Sequence, residues 1–229
     1  MRRHLVPEML DDLPPDDLRA RASRADLRRI NGLMFNTHTA AALIRAHVTG
    51  PVREMVDLGC GDGVGALRLA RRLGPVKDAP HLVLLDMQPV VSPETQAALV
   101  ALGWRVDIVA SDAERWIAAQ AEPADLVVAN LFLLHFEGAA LESLLDATAA
   151  HARHLVATEP LRTRLSYAAS RMVGVIGANA VTRHDAPASV RAGFRDDELS
   201  RLWPGQVKFE GRKGPFGHGF AALGVGHDA

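Results

Sequence analysis

The chain is 229 residues long, about the size of one ordinary domain, with 48% hydrophobic residues, 23% charged residues and a formal net charge of -1. That balance excludes the basic surplus by which a nucleic-acid binder is recognised, and a single cysteine excludes an internal disulfide framework. The positive charge is nearly all arginine, which fits GC-rich bacterial coding.

The N-terminal stretch "MRRHLVPEMLDDLPPDD" is too acidic and too interrupted by proline for a signal peptide. Next, "SRADLRRINGLMFNTHTAAALIRAHV" predicts one helical segment, with Leu27, Ile30 and Met34 on one face, Leu43 and Ile44 on a later turn, and Ser23 and Asp26 placed to cap its start. Residues 1–50 are expected to form a helical lid or a helix packed on the outer surface of a domain spanning 51–229. From Glu54 onward the pattern alternates. "REMVDL" reads as a buried strand and "VGALRLARRL" as a helix stopped near Gly74 and Pro75. "HLVLLD", "WRVDIVA", "ADLVVANLF" and "HLVATEP" read as further strands. Between them lie helices through "SPETQAALVALG", "DAERWIAAQ" and "GAALESLLDATAAHA". Short apolar runs separated by helices signify an α/β fold, a parallel sheet with helices on both faces. Residues 161–194 read as an insertion with at least one helix, expected to cover a substrate pocket. "RDDELSRLW" reads as a helix, and "QVKFEGR" and "GHGFAALGV" as an antiparallel pair at the sheet edge. The most apolar late stretch, "SYAASRMVGVIGANAV", contains Arg171 and is too short to span a bilayer, so the protein is expected to be cytoplasmic and without membrane contact.

The chemistry concentrates after the first strand, in "VDLGCGDG". Parallel sheets bind ligands beyond the carboxyl ends of their strands, and Gly59, Gly61 and Gly63 stand there with bare backbone. Gly61, Gly63 and Ala66 satisfy the G-x-G-x-x-A pattern of dinucleotide binding, whereas Asp57 with the three glycines makes D-x-G-x-G-x-G. A carboxylate two residues before the first glycine would repel a pyrophosphate seated at the helix N-terminus. The same carboxylate would attract the ammonium of S-adenosylmethionine, so charge favours the methyl donor. Asp86, at the end of the second strand, has nearly the spacing at which an acid grips ribose hydroxyls, a feature both ligand classes share. Asp112 either accepts from an adenine amino group, with the Ala113 N–H serving a ring nitrogen and Trp116 flanking the base, or caps the next helix. Cys60 reads as a small residue tolerated in a tight loop rather than as a nucleophile.

With "VDLGCGDG", "LLDMQP", "SDAERW" and "ADLVVANLFLLHF" in that order, the chain resembles the class I, Rossmann-like S-adenosylmethionine-dependent methyltransferases. The resemblance implies a seven-stranded, mostly parallel sheet with an antiparallel last strand. By position it implies that Asp57, Gly59, Cys60, Gly61, Asp62 and Gly63 hold the methionine part. Asp86 and Met87 would sit at the ribose, Asp112 and Ala113 at the adenine, and Asn130 and Leu131 beside the sulfonium. "ANLFLLHF", "TRHDAPASVRAGF" and "GHGF" are similar to a subgroup of small bacterial enzymes that act on phenolic or polyketide-like metabolites in secondary metabolism. Leu134 stands where that subgroup carries the first of two histidines.

Methyl transfer needs an aligned nucleophile, and a phenol of pKa about 10 is roughly one part in a thousand ionised at neutral pH. His135, His184 with its neighbour Asp185, and His218 are the candidate catalytic residues, an ordinary packed or surface histidine being the competing reading for each. Arg183 and Arg191 are candidates for an acidic substrate group; Met34, Phe35, Phe132 and "MVGVIGANAV" are candidates for an aromatic pocket. No metal site is expected, because "DLVVANLF" offers Asn130 without adjoining acids and no zinc spacing is present. O-methylation of a small molecule is the leading expectation, in a monomer or homodimer. C- or N-methylation, an NAD-dependent oxidoreductase, an RNA methyltransferase and a cofactor-binding protein without chemistry remain the alternatives.

Overall fold

The structure, a computed structural model, describes residues 1–226 except Asp11 and Pro15, and does not describe the side chains of Asn31 and Leu33. Residues 227–229 of the expected domain lie outside the described residues. Seven strands form one sheet: β1 (Glu54–Leu58), β2 (His81–Asp86), β3 (Arg105–Ala110), β4 (Leu126–Asn130), β5 (His154–Pro160), β6 (Val207–Lys213) and β7 (Gly217–Leu223). Their spatial order is β3-β2-β1-β4-β5-β7-β6. The first five pair in parallel, and β7 runs antiparallel between β5 and β6. After β3 the chain returns to the far side of β1, so the strand order reverses between β1 and β4. A crevice opens beyond the carboxyl ends of strands at such a reversal.

The strands expected to be apolar on both faces are so at the centre: β5 and β7 are buried throughout and β4 everywhere but Asn130. β3, at one edge, is exposed at Arg105, Asp107, Ile108 and Ala110 and fully buried nowhere. Helices α1 (Leu18–Leu33), α2 (Asn36–His47), α3 (Val64–Leu73), α4 (Pro93–Ala101), α5 (Ala113–Ala118), α6 (Gly138–His151), α7 (Arg164–Arg171) and α8 (Ala180–Ala192) surround the sheet. Leu43 of α2, Leu69 of α3 and Leu99 of α4 pack on Met55, Leu82, Leu84 and Val128. On the opposite face, Ile117 of α5 and Leu144 and Leu145 of α6 pack on Val56, Leu85 and Val127. Side-chain caps start several of these helices: Ser92 accepts from Thr95 N at 3.2 Å, with Pro93 in the first turn, Asp112 from Arg115 N at 2.9 Å, and Asn179 from Thr182 N at 2.8 Å. Among the described residues no helix is long and apolar enough to cross a membrane.

Two expectations fail. The N-terminal segment is two helices, broken at Phe35, whose φ of 57° is left-handed, and α1 is capped by Asp17. Ser23 and Asp26 lie inside α1 and are buried. The Ser23 hydroxyl bonds Thr182 Oγ1 at 2.9 Å, and Asp26 accepts from Asn179 N at 2.7 Å, so both tie α1 to α8. "RDDELSRLW" forms successive turns, not a helix. The Leu199 and Ser200 amides, which a helix would use in its own ladder, donate instead to Glu210 of β6 at 2.9 and 2.7 Å.

Candidate active site

A cavity of about 460 Å³ lies over the β1/β4 reversal. Its floor is the turn after β1. Gly59 has φ of 69°, and a Cβ there would stand 2.3 Å from the Phe132 ring, so no side chain fits. Gly61, with φ of 53°, presents bare backbone where a Cβ would meet nothing. The turn is drawn toward β2: Gly59 N and Cys60 N donate to Leu85 O at 2.8 and 3.1 Å, and Gly61 N to Asp86 Oδ2 at 2.9 Å. Asp57, Gly59, Cys60, Gly61 and Asp62 all line the cavity, as do Asn130, Leu131 and His135 from the turn after β4. The two turns expected to flank the methyl group thus face one space.

Asp57 is 6% exposed, and no hydrogen bond reaches its carboxylate among the described residues. Burial first, and the nearby Asp86 second, push it up to about 7. A carboxyl so placed gains from a cationic partner. Cys60 is buried, and burial with the carboxylates of Asp57, Asp86 and Asp62 pushes its thiol upward, the reverse of an activated nucleophile. Asp62 accepts from Val64 N at 3.1 Å and from Arg28 Nη1 of α1 at 2.8 Å, which ties the floor to the N-terminal segment. Asn130 Oδ1 accepts from Thr158 at 2.8 Å, and Leu131, with φ of 57°, turns the chain out of β4.

The other expected cofactor residues are not among those that line the cavity. Asp86 spends one oxygen on Gly61 N and the other on Gln88 N, at 2.8 Å. Gly63 starts α3 against Val91 and Thr95; Met87 is exposed; Asp112 caps α5 and Ala113 is buried behind it.

The histidines separate. His135, exposed, closes a 3-10 turn, Leu133–His135, at the cavity rim. His184 does pair with Asp185, at 2.8 Å, but it is half-exposed and away from the cavity, and Asp185 also holds the Met9 and Leu10 amides at 2.8 and 3.0 Å. The adjacency reflects an anchor for the N-terminal segment. His218 is buried on β7 and bonded to Glu210 at 2.9 Å, also outside the lining. Arg183 packs beside Gly174 and Arg191 bonds the Tyr167 hydroxyl at 2.7 Å, so neither reaches the cavity. Of the expected pocket wall, Met34, Val173 and Ile176 line it; Phe35 is 60% exposed and Phe132 stacks behind Gly59.

Sequence reasoning missed what holds His135 in place. Glu159, fully buried near the end of β5, accepts from Phe132 N at 3.0 Å and Leu133 N at 2.8 Å through Oε1. Burial, opposed by those amides, pushes its carboxyl up to about 8. From the other side Arg3 donates to Phe136 O at 2.7 Å and to Ala192 O at 2.8 Å. An ionisable residue inside the apolar run "HLVATEP" was the available signal, since a buried charge needs partners.

No curated protein sequence matches the chain. Residues 55–155 match the family model described as a methyltransferase domain. Among solved structures the chain is similar to the plantazolicin methyltransferase BpumL in complex with SAH, at 13% identity and a TM-score of 0.64, covering 91% of each chain. It is similar to an O-methyltransferase family protein from Burkholderia thailandensis, at 18% identity and a TM-score of 0.61, covering 92% of this chain and 61% of that one. It is also similar to the magnesium protoporphyrin IX methyltransferase ChlM from Synechocystis PCC 6803 with bound SAH, at 14% identity and a TM-score of 0.52, covering 94% and 91%. The matched domain at residues 55–155, the strand order with its antiparallel β7 and the acid-glycine turn at the reversal agree, and the chain has the Rossmann-like fold of these methyltransferases.

Proposed function

We propose that the protein transfers a methyl group from S-adenosylmethionine to an oxygen of a small aromatic, phenolic or polyketide-like metabolite. The observation that carries the reading is the shared cavity: the acid-glycine turn, Asn130 and His135 line one space whose far wall is apolar. The donor, when bound, supplies an already activated methyl carbon on a sulfonium. Asp57 receives its ammonium, and the bare backbone at Gly61 admits its chain. Asp86, while keeping the Gly61 and Gln88 amides, would accept from the ribose hydroxyls with its remaining lone pairs. Asp112 keeps its cap on α5 and offers its second oxygen to the adenine.

Leu27 and Ile30 of α1, Met34 just after it, and Val173 and Ile176 after α7 close over the acceptor, so residues 1–50 and 161–194 act as the lid. They exclude water and hold the ring in line, and alignment of this kind lowers a barrier by roughly 7–11 kcal/mol. His135 takes the phenolic proton as the oxygen attacks, a contribution of about 10²–10⁴-fold. Leu131, on the cavity wall, would border the space in which acceptor and donor meet.

His135→Ala is expected to lower kcat by about 10²-fold with affinity for S-adenosylmethionine intact, whereas His184→Ala, outside the cavity, leaves both unchanged. Turnover on a phenol panel and calorimetry with the donor measure the two quantities. Wild-type turnover in His135→Ala overturns the base assignment, and absence of donor binding to the wild-type protein overturns the whole reading.

A further inference from the structure

A second concavity, of about 470 Å³, lies on the other side of the β5 exit from the catalytic cavity. Pro160 faces the catalytic cavity, while the next residues, Leu161 and Arg162, face this one. Four guanidinium groups line it, those of Arg162, Arg164, Arg195 and Arg212, against one lining carboxylate, Asp196. Arg162 is 2% exposed and engages Glu198, whose other oxygen accepts from Arg195 N at 3.1 Å. Arg164 is exposed and has no ion pair or hydrogen bond among the described residues. Arg212 uses only Nε, on Gly214 O at 2.8 Å. Two positive charges therefore have no counter-charge, in a molecule whose net charge is -1.

A second observation points the same way. Arg195 Nε is buried and donates to nothing, although Asp196 Oδ2 lies 3.3 Å away without forming a hydrogen bond. Buried donors are almost always satisfied, so this one calls for an acceptor in the concavity. Guanidinium forks match tetrahedral oxyanions through paired N–H···O bonds, and several forks converging on one space suit a group with many oxygens and about two negative charges better than a single carboxylate.

We propose that this concavity is an oxyanion site for a phosphate or diphosphate group, separate from the methyl-transfer cavity. Arg195, Arg164 and Arg212 contact the oxygens, and Arg162, held by Glu198, supplies field from behind. The site touches α7 at its start, through Thr163 and Arg164, and α7 carries Ser166 and Ser170 of the catalytic cavity wall. Occupancy therefore steadies that wall from its far side.

The test is calorimetric titration of the full chain with inorganic pyrophosphate and with orthophosphate, at ionic strength matched with chloride. The paired variant Arg164→Gln/Arg212→Gln changes two exposed side chains and leaves buried Arg162 alone. Wild-type protein binds pyrophosphate more tightly than orthophosphate, and the paired variant binds it at least about tenfold more weakly, the loss of one charged hydrogen bond or more. S-adenosylmethionine affinity stays the same in both. A second arm floats the protein with phosphatidylglycerol vesicles and with neutral phosphatidylcholine vesicles. Arginine-dependent binding of free pyrophosphate assigns a soluble source, and arginine-dependent flotation with the anionic vesicles alone assigns a lipid headgroup. No binding in either arm, equal binding by the paired variant, or a chloride effect of the same size overturns the proposal.

Discussion

At the scale of single residues, the donor-binding role proposed for Asp57 would couple binding to pH. Its carboxyl is raised to about 7 by burial and by Asp86. The donor's cationic head favours the ionised form, so binding below about pH 7 must displace a proton and binding above it need not. Affinity for S-adenosylmethionine is expected to rise as pH increases from 6 to 8. Asp57→Asn is expected to bind at least about tenfold more weakly at pH 8 and to lose that slope. Calorimetry at several pH values measures both, and an unchanged slope in the variant assigns the titration to another group. Asp57 was legible in the sequence because its offset from the glycines carries electrostatic information. The pairing of His184 with Asp185 was legible too, and the two do bond, at 2.8 Å. Where the pair points depends on what α8 packs against, which one sequence does not state. Glu159 was hidden for the opposite reason: it is an acid in a run otherwise read as strand, and its partners lie 26 and 27 residues away.

At the scale of elements, the turn after β4 is held by charges from two distant segments, Glu159 on its amides and Arg3 on its carbonyls. A 3-10 turn of three residues has little hydrogen bonding of its own, so the position of His135 is borrowed from those partners. Arg3→Ala is expected to cost about 1–3 kcal/mol of stability, because Phe136 and Ala192 carbonyls lose a charged donor. It is also expected to lower kcat several-fold while leaving donor affinity intact, with Arg3→Lys recovering part of the loss. Thermal unfolding and steady-state kinetics read the two effects separately, and a variant that is destabilised yet keeps wild-type kcat makes Arg3 a purely structural strut. The strands and the helices from α3 to α6 followed from apolar runs, caps and glycine stops, which are local. The turns at 195–203 did not, since tertiary hydrogen bonds to Glu210 outcompete a helical ladder there, and neither did the break at the left-handed Phe35, which no glycine or proline marks. Leu27, Ile30 and Met34 were read correctly as one face, and that face lines the cavity rather than the sheet.

At the scale of the molecule, the chain closes its own site with segments from opposite ends of its sequence. The sheet and its covering helices form a floor that follows from alternating pattern alone. The roof is α1, α7 and α8, and its polar fastenings include Asp26 to Asn179 N and Thr182, Ser23 to Thr182, Arg28 to Asp62, and Arg68 to the Arg28 carbonyl. Asp26 is the most buried of the charged groups, and its loss takes that acceptor from Asn179 N, Thr182 Oγ1 and Arg29, at about 1–3 kcal/mol. If the roof is a cooperative unit distinct from the floor, Asp26→Ala speeds amide hydrogen exchange in α1 and α8 and leaves β1, β4 and β5 as slow as before. Donor affinity falls with it, because the loosened roof no longer holds Arg28 over Asp62 beside the glycine turn. Equal acceleration in the central strands would mean that residues 1–50 are part of the domain's core and open only when it unfolds. Faster exchange confined to the roof would instead give the donor and acceptor a route in that leaves the sheet intact.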